Sequence, residues 1–205
     1  MGADFAFDRH GIIFIVSGPS GAGKSTLVDG LMARYPDLTL SVSYTTRAPR
    51  GAEVDGREYQ FVDRADFARL QSEHHFAEWA EVHGALYGTP RQPLDDAIDA
   101  GRDMLLDVDI QGARRLKSLY RDSAVAIMVF PPSWDELERR LRDRGTDEDA
   151  TIARRLARAR EEAAEVGRYD YWIRNAERAT SIALAESIVA AERARVSRIV
   201  VEAGP

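Results

Sequence analysis

The chain has 205 residues, of which 44% are hydrophobic and 30% are charged, and its formal net charge at pH 7 is −6. This length suits one domain with a sizeable core, and the acidic balance argues against a dedicated nucleic-acid-binding protein. The absence of cysteine excludes disulfides and thiolate metal sites and fits a cytoplasmic location. No apolar stretch approaches membrane-spanning length, and residues 1–10 form a short leader without a signal-peptide pattern. We therefore expect a single cytoplasmic domain without membrane or nucleic-acid partners.

The chain opens on a strand–loop–helix pattern. Residues 12–16 are an uninterrupted apolar run, typical of a buried strand, and residues 24–34 have helical periodicity that ends before Pro36. The segment between them reads Gly-Pro-Ser-Gly-Ala-Gly-Lys-Ser from Gly18 to Ser25, which matches the full pattern of a phosphate-binding loop. Glycines let several backbone N–H groups point at one anion, and the helix N-terminus adds its positive dipole end.

We expect this loop to bind the phosphates of a nucleotide. A glycine-rich turn would explain the glycines but not the lysine and serine that follow them. Lys24 is placed to reach the outer phosphates, and the Ser25 hydroxyl is placed for Mg²⁺. The predicted nucleotide-binding residues here are Gly18, Pro19, Ser20, Gly21, Ala22, Gly23, Lys24, Ser25 and Thr26.

Strands alternate with helices along the rest of the chain, which indicates an α/β fold with a mostly parallel sheet covered on both faces. Further strands are expected at 58–62, 78–82, 104–109, 124–130 and 171–173, and helices at 64–73, 91–100, 113–119, 134–143, 149–165 and 180–193. Asp63 is a candidate N-cap for the helix after it. Residues 38–63 are rich in Ser, Thr, Arg, Tyr and Gly, which predicts a small, mostly β insertion.

Two acids close the apolar strand over 104–109. Parallel strands end at the same edge of a sheet, so Asp107 and Asp109 are expected beside the phosphate loop. One acid at this place commonly supports Mg²⁺ through water, and we assign that role to Asp107. The alternative is that both acids are merely solvated at the end of the strand, and the nearby phosphate loop makes that alternative the weaker interpretation.

Two arginine-rich segments are candidate phosphate binders. Residues 43–50 combine two arginines with several hydroxyls, and an arginine fork matches phosphate oxygens in pairs, although a polar surface loop explains them equally well. Residues 138–162 hold eight arginines, and Glu136 and Glu138 each precede an arginine by four residues. That spacing indicates a solvated helix face for most of them. A mobile arginine-bearing segment over a phosphate site is also what phosphoryl transfer uses.

Taken together, the motifs resemble guanylate kinases over about residues 11–178. The segments that carry the resemblance are, in chain order, Ser17 to Ser25, Thr45-Thr46-Arg47-x-Pro49-Arg50, Gly51-x-Glu53, Gly56-x-x-Tyr59-x-Phe61, Glu78-Trp79-Ala80, Tyr87-Gly88-Thr89, Asp109-x-Gln111-Gly112 and Arg144-Gly145-Thr146. The resemblance implies one three-layer α/β/α domain over 1–205. Its core would be 11–37, 101–138 and 167–205, its β-rich GMP-binding region 38–100, and its helical lid about 139–166.

The resemblance also implies site residues, position by position. Those for the GMP phosphate are Ser43, Arg47, Arg50, Tyr59 and Tyr87, and those for guanine are Glu78, Thr89 and Asp109. Lys24 and the lid arginines Arg140, Arg144 and Arg155 would act on the transferring phosphoryl group, and Asn175 would lie near the adenine of ATP. The implied reaction is transfer of the γ-phosphoryl group of ATP to GMP, with Mg²⁺ as cofactor.

The chain departs from the family pattern at three places. Tyr44 replaces a small residue, Ala85-Leu86 replaces a more polar, aromatic pair, and Arg174-Asn175-Ala176 replaces a run like Val-Asn-Asp. The first of these lies where the resemblance places the edge of the GMP pocket, and the effect of the second on that pocket is left open. Two alternatives stay open. A non-catalytic guanylate-kinase-like interaction module would have a damaged nucleotide site, and a P-loop kinase for another phosphorylated acceptor, such as a sugar phosphate, would have no use for the guanine-reading residues.

Overall fold

A computed structural model describes residues 8–82, 84–143 and 148–200 of the chain. The strands are β1 (Ile13–Ser17), β2 (Thr39–Leu40), β3 (Tyr44–Thr45), β4 (Gln60–Phe61), β5 (Phe76–Val82), β6 (Ala85–Pro90), β7 (Met104–Asp107), β8 (Ala124–Phe130) and β9 (Tyr171–Arg174). The helices are α1 (Lys24–Arg34), α2 (Arg64–Ser72), α3 (Arg91–Asp99), α4 (Ile110–Tyr120), α5 (Trp134–Asp143), α6 (Asp149–Ala164) and α7 (Arg178–Arg193).

Five strands form a parallel sheet in the order β2-β7-β1-β8-β9. Successive side chains of a strand point to opposite faces, so β1 contributes to two cores. Phe14 and Val16 pack with α1 and α7, whereas Ile13 and Ile15 pack with α3 and α4. Helices therefore cover both faces, and the expectation of a three-layer α/β/α fold with a mostly parallel sheet is confirmed.

Four other strands form a second sheet in the order β4-β3-β6-β5, in which β6 pairs antiparallel with both of its neighbours. The sequence predicted β5 but not β6, and it predicted a longer β4. Asp63 caps α2 as expected, since its Oδ1 accepts the Asp66 N–H at 2.7 Å. Within 38–100, β2 belongs to the parallel sheet, and Leu94 of α3 packs beneath β1. Those parts of the predicted GMP-binding region are structurally part of the core.

Helices α5 and α6 pack on each other through their own apolar cluster, which includes Leu137, Leu141, Ile152 and Leu156. They occupy the predicted lid segment, and residues 144–147 between them lie outside the described residues. The predicted i,i+4 ion pairs are present, with Arg140 on Glu136 and Arg142 on Glu138, each at 2.8 Å. Among the described residues, no helix combines the length and apolar character needed to cross a membrane.

Candidate active site

The phosphate loop connects the carboxyl end of β1 to α1, as the sequence predicted. Gly23 has φ +90°, in the left-handed region that favours glycine, and a Cβ there would lie 2.2 Å from Asn175 Nδ2. That amide approaches closely because it donates to the Ala22 carbonyl at 2.8 Å. Lys24 Nζ donates to the Gly18 carbonyl at 2.8 Å. The lysine ammonium is therefore held across the loop, where the outer phosphates of a nucleotide would lie.

A cavity of about 600 Å³ lies between this loop, the second sheet and helix α6. It brings together most of the residues that the sequence singled out from distant segments. The predicted residues that line it are Gly18, Pro19, Ser20, Gly21, Gly23, Lys24, Ser25, Thr26, Ser43, Arg47, Arg50, Tyr59, Glu78, Tyr87, Asp107, Asp109 and Arg155. Arg158 and Glu162 of α6 also line it, and neither was among the predicted site residues.

At one side of this central cavity, Arg47 is held by a network from the second sheet. Its two terminal nitrogens donate to the two carboxylate oxygens of Glu53, both at 2.9 Å, and its Nε donates to the Tyr87 hydroxyl at 3.2 Å. The bidentate bond to Glu53 raises the pKa of Arg47. Burial, with the Asp107 carboxylate as the next cause, raises the pKa of Tyr59 to about 12, so its phenol stays a donor at neutral pH. This side of the cavity therefore holds a guanidinium group paired with Glu53 and two phenol hydroxyls, at the place where the sequence predicted a phosphate.

Glu78 also lines the cavity, and its strand β5 places it against Thr89 of β6. Its Oε1 accepts the Thr89 hydroxyl at 2.6 Å, and the residue is only 7% exposed. Burial is the main cause that raises the pKa of Glu78 to about 7; the Thr89 hydrogen bond and Arg115 oppose this shift, and the Asp109 carboxylate adds to it. Thr89 is fully buried behind the carboxyl group and does not itself line the cavity.

Asp109 lies beside Glu78, and each of its carboxylate oxygens accepts a structural hydrogen bond. Its Oδ1 accepts the Gly112 N–H at 2.9 Å, which makes Asp109 the N-cap of α4. Its Oδ2 accepts from Arg158 Nη2 of α6 at 3.2 Å. Arg158 also donates from Nε to Glu162, at 3.0 Å. Burial raises the pKa of Glu162, and the Arg158 guanidinium partly offsets that effect. Helix α6 is thus joined to the side of the cavity that holds Glu78 and Asp109 through Arg158.

Ser25 and Asp107 meet near Lys24, where the sequence placed a Mg²⁺ site. Burial raises the pKa of Asp107, and the Lys24 ammonium and the Ser25 hydroxyl oppose that shift. A hydroxyl and a carboxylate supply the hard oxygen ligands that Mg²⁺ prefers. Within the described part of the chain there is no cluster of three or more His, Asp or Glu side chains that could hold a metal alone. The arrangement therefore suits an ion that takes its remaining ligands from water and phosphate.

The predicted lid arginines lie in different places. Arg155 lines the central cavity, and its Nη1 lies 3.4 Å from Ser20 Oγ of the phosphate loop. Arg140 lines a second cavity on the other side of the loop, where it donates to the backbone carbonyls of Ala22 and Asn175. Arg144 lies outside the described residues. Only one of the three is therefore seen next to the central cavity.

A sequence model described as guanylate kinase matches residues 11–192, which is most of the chain. The chain belongs to the guanylate kinase family. It is 54% identical over 169 residues to the guanylate kinase of Nitratidesulfovibrio vulgaris, covering 82% of this chain and 81% of that protein. It is 52% identical over 187 residues to that of Bordetella pertussis, covering 91% and 86%. The crystal structure of guanylate kinase from Anaplasma phagocytophilum superposes with a TM-score of 0.80 at 36% identity, covering 95% of this chain and 92% of that one.

The structure shows where the residues that depart from the family pattern lie relative to the central cavity. Tyr44 does not line the central cavity, because its ring packs edge-on against His75 and Phe76. Ala85 lines the cavity, whereas Leu86 does not. Of the residues at these two departures, only Ala85 is therefore among the described residues that line the central cavity.

Proposed function

We propose that this member of the guanylate kinase family transfers the γ-phosphoryl group of ATP to GMP, giving ADP and GDP. The observation that carries the proposal is the continuity of the central cavity. One space joins a complete phosphate loop, a set of fixed phosphate donors around Arg47, and the buried carboxyl group of Glu78. A phosphorylated acceptor whose other end presents hydrogen-bond donors fits this arrangement.

The base would be selected by Glu78 together with Asp109. Guanine presents two adjacent donors, N1–H and the 2-amino group, and an ionised carboxylate accepts both. Adenine has an unprotonated N1 and no 2-amino group, so it would leave the carboxylate desolvated without those bonds. Sites built to bond a particular donor reject analogues that lack it by roughly 10⁴-fold or more. Thr89 supports this role because its hydroxyl fixes one oxygen of Glu78.

The GMP phosphate would bind to Arg47, Arg50, Ser43 and the two phenols, Tyr59 and Tyr87. ATP would bind with its phosphates in the loop over Gly18 to Thr26. Its adenine would enter the second cavity, which is lined by Asn175, Arg140 and Arg178, among others. This placement makes Arg140 a residue of the ATP side.

Magnesium is the proposed cofactor, held by the Ser25 hydroxyl and, through water, by Asp107. When bound, Mg²⁺ neutralises charge on the β- and γ-phosphate oxygens. The reaction needs no dedicated general base, because a phosphomonoester with a second pKa of about 6 is largely a dianion at pH 7. The protein itself must overcome the electrostatic repulsion between ATP and the GMP phosphate and align the two for transfer. Lys24 and Arg155 supply positive charge at that point, and α6 over the cavity excludes water.

The test is phosphotransfer by the purified full chain, with Mg²⁺ and ATP and with GMP, AMP, CMP, UMP or a sugar phosphate as acceptor. We expect GDP formation from GMP at a rate far above the other acceptors. Lys24→Met should lower kcat by about 10²–10³-fold while the melting curve is unchanged, since a positioned cation is lost. Binding of nucleotides without turnover would favour the interaction module, and turnover of a sugar phosphate would favour the other acceptor class. The cytoplasmic location stays a prediction.

A further inference from the structure

The first turn of helix α4 lies against Glu78 and Asp109, the two carboxyl groups proposed to select the base. Gly112 sits on that turn and touches both of them. Its N–H donates to Asp109 Oδ1 at 2.9 Å. On its other side, a Cβ at this position would lie 3.0 Å from Glu78 Oε2 and 3.1 Å from both Cδ and Oε1. These nearly equal distances place the missing Cβ above the flat face of the Glu78 carboxyl group.

The Glu78 side chain has little room to yield. It is 7% exposed, and its Oε1 is fixed by the Thr89 hydroxyl at 2.6 Å on the neighbouring strand. Ordinary contact with a Cβ begins at 3.4 Å, so a methyl group at 112 would move the carboxyl group by a few tenths of an ångström. If α4 moved instead, Asp109 would move with it, because the Gly112 N–H is bonded to Asp109. In both cases the spacing between the two carboxyl groups changes.

Backbone conformation does not explain the glycine. Gly112 is not among the described glycines with positive φ, and it lies inside a helix, where alanine is the better residue. The requirements of the helix backbone alone would therefore be met at least as well by alanine. The close approach of Glu78 is what a side chain at this position would disturb.

We infer that Gly112 is a positioning residue for guanine, which sets the spacing of Glu78 and Asp109 through its backbone N–H and its lack of a side chain. The inference rests on the proposed function, since it concerns how the same site reads its acceptor. A misplacement of about 1 Å can cost on the order of 10²-fold in rate. A shift of a few tenths of an ångström should therefore lower kcat/KM for GMP by about tenfold.

The test compares Gly112→Ala with Gly167→Ala, a position where an added Cβ would meet no atom within 4 Å. We expect Gly112→Ala to raise KM and the calorimetric Kd for GMP about tenfold, with KM for ATP unchanged and the protein still folded. Gly167→Ala should change none of these. In a Glu78→Asp background, the shorter side chain withdraws the carboxyl group from residue 112. Adding Gly112→Ala in that background should raise KM for GMP by much less than tenfold.

An unchanged KM and Kd for GMP in a folded Gly112→Ala would overturn the inference, and so would an equal loss for GMP and ATP. An equal cost of Gly112→Ala in the wild-type and Glu78→Asp backgrounds would also overturn it. If wild type itself fails to phosphorylate GMP, the proposed function fails first. The two failures are therefore distinguished by the wild-type assay.

Discussion

Replacing Glu78 by glutamine should stabilise the folded protein and weaken its recognition of GMP. Burial raises the pKa of Glu78 from 4.5 to about 7. The folded state therefore holds a proton that the unfolded chain loses above pH 4.5, and stability falls as the pH rises from 4.5 to about 7. One pKa unit corresponds to about 1.4 kcal/mol, so the ionised form costs the folded state about 3 kcal/mol at pH 8. At pH 5 the same linkage gives a cost of about 1 kcal/mol.

Glutamine is neutral at every pH and can still accept the Thr89 hydroxyl. Glu78→Gln should therefore be more stable than wild type by about 3 kcal/mol at pH 8, equivalent to about 6–12 °C in melting temperature, and by about 1 kcal/mol at pH 5. Urea denaturation at both pH values measures the difference. Glu81→Gln, an exposed position on the same strand, is the matched control and should stay within about 0.5 kcal/mol.

The activity of the same variant completes the test. One carboxylate oxygen becomes an NH₂ donor that opposes a guanine donor, so kcat/KM for GMP should fall steeply while KM for ATP changes little. A Glu78→Gln protein that is less stable at pH 8, or whose advantage is equal at pH 5 and pH 8, would refute the assigned cost of the buried charge. An unchanged preference for GMP over AMP would refute the guanine-reading role.

Two further predictions concern the same cavity. Guanosine lacks the phosphate group, which itself titrates near pH 6, so its binding reports the protonation of Glu78 alone. Because the pKa of Glu78 is about 7, the calorimetric Kd for guanosine should rise about 20-fold between pH 7.5 and pH 5.5. A Kd that does not change with pH would contradict this prediction. Arg158→Met should raise KM for GMP and lower stability by about 1–3 kcal/mol, because buried Glu162 loses a charged partner. Arg154→Met, at an exposed arginine of the same helix, is the control in urea denaturation and kinetics, and equal effects would contradict the Arg158 role.

The sequence predicted those parts of the fold that depend on local patterns of residues. Strands β1 and β8 were found because a strand that is buried on both faces needs an unbroken apolar run. The loop from Gly18 to Ser25 was found from its pattern of glycines followed by lysine and serine. Strand β6 was missed because Gly88 and Pro90 are poor strand residues, and it forms through pairing with both of its neighbours. Helix α4 begins three residues earlier than predicted, since Asp109 caps the helix instead of ending the strand.

The candidate site was predictable as a set of residues but not as a geometry. The motifs named Glu78 and Asp109, yet only the tertiary structure shows that Gly112 lies between them. Arg158 was one of eight arginines for most of which a solvated helix face was the interpretation, and Glu162 was not singled out. Their place in the cavity depends on how α6 lies over the phosphate loop, which no local pattern encodes.

The position of β1 in the middle of the parallel sheet has a consequence for biosynthesis. Its hydrogen-bonding neighbours, β7 and β8, begin about 90 and about 110 residues further along the chain. At roughly 5–20 residues per second, a ribosome needs on the order of 5–20 s to supply both. During that interval the buried strand that leads into the phosphate loop lacks its partners, and such long-range pairing is intrinsically slow. The phosphate loop is thus made well before the strands that flank β1, so ATP binding by the nascent chain should report the pairing of β7 and β8 with β1.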